Sequence, residues 1–201
     1  MANSGVFSIN DINFLRDWQQ WETGHGSLKL LGKIEANDIV TADFGNEILN
    51  VDYYNTHFFT YTNVWGNSQT AQDLGMRVSV DGKSYISSNV YKYANVDRRG
   101  SVSAHDIYSN GNNRMMLGPD LDNETNSSTS GSGWIHLAGK SNTYTFLTDS
   151  NIVEQSSVGM RSRFGSSFYP SQARVEAIRF CGSSGTGFET GTFTMYGLEY
   201  N

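Results

Sequence analysis

Along most of the chain, apolar and polar residues change places at every second position, the period of a half-buried strand. Leu28, Leu30 and Gly32 alternate with Ser27, Lys29 and Leu31, and Ile34 follows. The stretch 53–64 carries Phe58-Phe59-Thr60-Tyr61-Thr62, rich in the aromatic and β-branched residues that suit a pleated surface. The same pattern predicts strands over 39–44, 74–80, 83–86, 102–108, 114–117, 133–138, 143–148, 157–163, 173–181 and 191–200. Clusters of Gly, Asn, Ser and Asp separate them, at spacings that point to a sandwich or barrel. Asp81-Gly82, set between two alternating runs, is the sharpest local hairpin signal, because both turn positions must accept a positive φ.

The period changes in one place. Ser8 stands three residues before Asp11, a weak capping pattern, and Phe14, Trp18 and Trp21 then fall at i, i+4 and i+7. A short amphipathic helix is expected there, ending by Gly24 and docking its aromatics on a sheet or a neighbouring subunit. Residues 1–26 are read as an arm that carries this helix, and 27–201 as a single β-sandwich domain. The expected class is all-β, an antiparallel jelly-roll-like sandwich with a short N-terminal helical arm. The longest soft stretch, 110–133, is expected to be a polar loop that is mobile or held by a partner.

Composition narrows the function classes. The chain has 201 residues, 21 of them Gly and only 2 Pro, with 13% aromatic and 17% charged residues. Its formal charge of −6 lacks the basic balance of a nucleic-acid binder. No apolar run approaches the ~18 residues of a spanning helix, so no membrane partner is expected. One cysteine, Cys181, leaves no intrachain disulfide framework and no Cys-rich zinc site, and is expected to be a small buried apolar residue. The start of the chain shows neither the basic nor the apolar region of a secretory signal, so synthesis in a reducing host cytoplasm is expected.

Catalytic machinery is not visible. There is no G-x-S-x-G, and His25, His57, His105 and His136 are too scattered to supply two metal ligands from one element. Asp120, Asp122 and Glu124 place carboxylates at alternate positions, as a calcium loop does. The glycine and the closing glutamate of such a loop do not follow, so a solvated acidic turn is the expectation. Gly182 to Gly187 lacks the Lys-Ser/Thr ending of a phosphate-binding loop. No enzyme activity, cofactor or metal is expected. Aromatic residues remain as the feature with binding potential, and Tyr53, Tyr54, Trp65 and Tyr91 are the candidate ligand or contact residues. Sugar-binding modules stack such rings on pyranoses, while the alternative places them in a sandwich core or a subunit interface.

The segment Ala177-Ile178-Arg179-Phe180-Cys181, followed by Phe188-Glu-Thr-Gly191-Thr-Phe-Thr-Met-Tyr196-Gly197-Leu198, resembles the closing strands of a family of bacteriophage virion proteins. That family ends in an sGtFtlYGl pattern after an Ile-x-x-[IL]-x-Phe strand. Looser agreement reaches back through Ser130-Gly-Ser-Gly-Trp-Ile135 and Leu74 to Ser79 as far as residue 28. The resemblance implies a jelly-roll structural protein of the virion: a capsid decoration or cement protein, or else a tail or fibre component. It implies other virion proteins as partners, the major capsid protein or tail proteins, and a cyclic homo-oligomer, expected as a trimer. A carbohydrate-binding, receptor-binding module is the alternative from a different class. Within the closing strand, alternation puts Phe193 and Met195 on one face, with Thr192, Thr194 and Tyr196 on the other. Phe193, Met195, Ile178 and Phe180 are expected in the core.

Overall fold

The alternation becomes strands nearly throughout. A computed structural model describes residues 28–67, 73–99, 102–118, 128–136, 142, 144–155, 159–183 and 187–198. The arm with Phe14, Trp18 and Trp21 lies outside the described residues, as do Asp120, Asp122 and Glu124. The strands are β1 (Leu28–Ile39), β2 (Thr41–Phe44), β3 (Thr56–Gly66), β4 (Leu74–Ser79), β5 (Tyr91–Arg99) and β6 (Val102–Asn112). They continue as β7 (Met115–Met116), β8 (Ser128–His136), β9 (Thr145–Gln155), β10 (Gly159–Tyr169), β11 (Ala177–Gly182) and β12 (Phe188–Leu198). One helical turn, α1 (Asn46–Leu49), follows β2 and ends where Asn50 turns left-handed at φ 46°.

Two antiparallel sheets result. The long one runs β1-β12-β3-β8-β9-β10-β5-β6 and the short one β2-β11-β4-β7. Their pairing is that of a long hairpin rolled up. Taking β1, β2, β3, β4, β7, β8, β11 and β12 alone, the first pairs with the last, the second with the seventh, the third with the sixth and the fourth with the fifth. Rolling adds the pairs β12–β3 and β11–β4. This is the eight-stranded jelly roll. The hairpins β5–β6 and β9–β10 are insertions in it. They pair with each other and carry the long sheet four strands beyond β8.

Large apolar side chains fill the space between the sheets. Phe180 of β11 reaches across to Phe193 at 5.0 Å and Phe59 at 5.5 Å, while Phe44 meets its edge at 6.0 Å. Phe193, Met195, Ile178 and Phe180 are all fully buried, as their alternation predicts. Cys181 is buried and free, and burial pushes its thiol above the ordinary value. The β12–β3 ladder shifts register around Gly191, whose φ of 141° and close approach to Val64 leave no room for a side chain.

Two local expectations are corrected. Asp81-Gly82 does turn, with Gly82 at φ 71°, but 83–86 form no strand. The Asp81 carboxylate accepts the amides of Lys83 and Ser84 at 2.8 and 2.7 Å, and both edges of β4 are already taken by β11 and β7. The polar stretch 128–133 is not loop but the first part of β8. Its glycines serve packing: a β-carbon on Gly133 would run into the Phe59 ring.

His57 sits wholly inside, its Nε2–H donating to the Leu49 carbonyl at 2.7 Å while Nδ1 has no partner among the described residues. Burial holds its pKa below the ordinary value, because a proton on Nδ1 would be a buried donor without an acceptor. The unfolded chain takes up that proton near pH ~6.5 and the folded one does not. Stability is therefore full above that pH and falls as the pH drops below it. Urea unfolding at pH 7.5 and 5.5 is expected to show this loss, and His57→Gln to flatten it; an unchanged slope would contradict the assignment.

Candidate functional site: the outer face of the long sheet

Strand register brings one outward residue from every strand of the long sheet into a single row. It reads Leu30, Tyr196, Phe58, Trp134, Thr148, Ser166, Ala94 and Tyr108. The jelly-roll end of the row is apolar. Phe58 packs against Trp134 at 4.8 Å and Tyr196 at 6.0 Å, Trp134 stacks on His136, and Leu30 is 58% exposed beside them. On the inserted strands the row drops to small side chains and rises again at Tyr108, 76% exposed. Phe146 and Phe168 stack at 5.8 Å along one side of it, with Lys92 5.9 Å over the Phe168 ring. Phe164, 44% exposed, stands on the other side.

These rings face outward because the inserted strands are pinned from within by charge. The inward positions of β10 are Arg161, Arg163 and Ser167, and those of β5 include Asn95 and Asp97, all buried. Arg161 clamps Asp97, its Nε lying 2.8 Å from both carboxylate oxygens and its Nη2 on Oδ2. Arg163 lies 3.9 Å from Asp97 and 4.0 Å from Asp73. Burial pushes the Arg163 guanidinium below its ordinary value, and the acidic side chains of Asp73, Asp97 and Asp149 pull it back. With the polar half of each strand locked inside, period-two geometry turns Phe164, Phe168, Ala94 and Val96 to the surface.

The short sheet has a different outer side. Arg179 makes two hydrogen bonds to Asp43, at 2.8 and 2.5 Å, and its guanidinium lies 3.9 Å over the Tyr85 ring. Arg174 bridges Asp52 and Glu176 at 2.6 and 2.7 Å. Those charges are paired with each other and form a polar flank open to solvent.

The aromatics singled out from sequence scatter. Tyr53 is 55% exposed, away from the outer row, with its ring against the edge of Tyr54 at 4.7 Å. Tyr54 is a correction: it is buried, its ring so close over Gly197 that a β-carbon there would lie 2.5 Å from it. Tyr91 is another. Its hydroxyl accepts the Val78 amide and donates to the Ile86 carbonyl, each at 3.0 Å, and burial raises its pKa so that it remains a donor. It ties the turn after β4 to the sheet and offers no face to a ligand. Trp65 is half-buried at the end of β3, opposite Thr190. The residues that do form the surface, Phe58, Trp134, Phe146, Phe164, Phe168 and Tyr196, carried a signal in the spacing Phe164-x-Ser-x-Phe168, but alternation alone does not say which half faces out.

Among the described residues, no group of three or more His, Cys, Asp or Glu side chains could hold a metal, and no helix is long and apolar enough to cross a membrane. No protein-family model matches the chain, and neither does any curated protein. Among solved structures, the CBM2 module of the evolved Dit of Lactobacillus casei BL23 phage J-1 overlaps 80% of this chain and 69% of its own, at 12% identity and a TM-score of 0.25.

Proposed function

We propose that this protein is a non-enzymatic structural component of a bacteriophage particle that uses the outer face of its long sheet as a contact surface. One observation carries the reading: a jelly roll that leaves Leu30, Tyr196, Phe58 and Trp134 as a contiguous apolar row on an outer sheet face. Contact surfaces between proteins are enriched in such aromatics at their centre. The resemblance of β11 and β12 to the closing strands of phage virion proteins supplies the setting. Within the particle, the capsid is the first station, as a decoration or cement protein on the major capsid protein in a cyclic homo-oligomer, expected as a trimer. The second station is the tail or fibre, where the protein would touch host glycans. The hydroxyl-lined part of the same face, on the inserted strands, favours that second station.

Antibody labelling of intact particles, viewed by electron microscopy, tests the reading. Label on capsomers or on the tail supports it and separates the two stations; particles that contain the chain nowhere would refute it. Phe58→Ser with Trp134→Ser is expected to abolish attachment to particles while leaving the monomer folded, since both rings stand on the outer side of the sheet.

A further inference from the structure

Two hollows indent the outer face of the long sheet, one between β8 and β9 and the other on β10, β5 and β6. One, of about 220 Å³, lies between Trp134, Ser132, Thr148 and Ser150. The other, of about 230 Å³, lies between Lys92, Ala94, Ser166, Phe168, Tyr108 and Asn110. Thr148 borders the first and Ser166 the second, and these two residues are paired neighbours on β9 and β10. The two hollows share no lining residue, and this pair is the step between them along a shallow trough across the strands. It runs from Trp134 to Tyr108 over four inter-strand steps, roughly 19 Å at the usual strand spacing.

We propose that this trough binds a bacterial surface polysaccharide, a few sugar units long, with an acidic substituent placed at Lys92. The assignment rests on the second station above, a particle protein that touches host glycans. The lining chemistry selects the occupant. Serine is depleted at the centres of protein–protein contacts, whereas here Ser132, Thr148, Ser150 and Ser166 set hydroxyls between the rings of Trp134, Phe168 and Tyr108. A sugar chain presents the complement, with hydroxyls to meet the floor and C–H faces to meet Trp134, Phe168 and Tyr108. Charge decides the subclass. Lys92 makes no ion pair among the described residues, and neither hollow has a carboxylate within reach of it: Asp149 borders only the first and points inward. On a chain of formal charge −6, an unopposed cation at the trough's end is a local site for a carboxylate or phosphate.

The test uses the isolated protein, so its outcome is independent of where the chain sits on the particle. An array of acidic and neutral bacterial polysaccharides is probed with the wild type, with Ser166→Trp, which fills the floor from an exposed position, and with Lys92→Gln. Binding to acidic polysaccharides is expected, lost in Ser166→Trp and weakened about tenfold in Lys92→Gln, a factor that corresponds to one short-range charge contact. Melting temperatures close to the wild type would show that both variants remain folded. A blank array, binding that survives Ser166→Trp, or equal binding of neutral and acidic chains would overturn the assignment. A blank array together with label on the particle would remove the trough and leave the virion reading standing.

Discussion

Phe193→Ala is expected to cost about 3–5 kcal/mol, the usual loss for a fully buried aromatic truncated to alanine. The ring has no exposed surface and sits 5.0 Å from Phe180 and 4.9 Å from Phe188. Phe180 belongs to the short sheet and Phe193 to the long one, so the pair is a direct packing contact between the two layers. Removing one ring leaves a void that neither sheet can close without breaking its own ladder. In a domain of this size the loss corresponds to a fall in melting temperature on the order of 10 °C. Thr192→Ala, one residue away on the opposite face, is expected to change stability by less than ~0.5 kcal/mol, and equal effects at the two positions would refute the inward placement of Phe193.

The closing strands show what was legible in the chain. In β11 and β12 the inward positions are Ile178, Phe180, Phe193 and Met195, so hydrophobicity and geometry agree and period two suffices. The strand-rich class followed from the same agreement repeated elsewhere. The order of strands did not follow from local pattern, since β1 with β12 and β2 with β11 are joined across almost the whole chain. That pairing is a property of how the rolled hairpin closes. The many short strands of one domain point to a jelly-roll-like sandwich, and the likeness of β11 and β12 to phage virion strands points the same way, but neither supplies the strand order.

The inserted hairpins were harder, for a definite reason. In β5, Asn95 and Asp97 point inward and Ala94 and Val96 outward; in β10, Arg161 and Arg163 point inward and Phe164 outward. A rule that sends apolar residues to the core reads both strands inside out, or finds no strand at all in a charged run such as 91–99. The partners that make inward arginines tolerable lie 64 positions away in the chain. The same inversion hid the candidate site. For Tyr54 and Tyr91 the pattern leaves contact surface and sandwich core both open, and each is buried by a contact that local sequence does not encode: a glycine on β12, and a pair of backbone groups around the turn after β4.

The second large effect follows from that inversion. Asp97→Asn is expected to destabilise the protein by about 3–5 kcal/mol, the range for breaking a buried ion pair by removing one partner. The substitution keeps the volume and removes the charge, leaving Arg161 and Arg163 buried with Asp97's compensation gone. Replacing both partners is a different experiment. Asp97→Leu with Arg161→Met exchanges the pair for apolar side chains and leaves one buried guanidinium, Arg163, facing Asp73 in place of two without Asp97, so the double variant is expected to be more stable than Asp97→Asn. A double-mutant cycle over Asp97 and Arg161, followed by urea unfolding, measures the coupling directly. Additive losses at the two positions would mean that the clamp does not hold the inserted strands together. Coupling of several kcal/mol would show that charge inside the sheet fixes the register of β5 against β10. That register sets Phe164, Ser166 and Phe168 against Lys92, Ala94 and Val96 on the outer side, so a folded variant with a loosened clamp should also lose polysaccharide binding at a trough it does not touch.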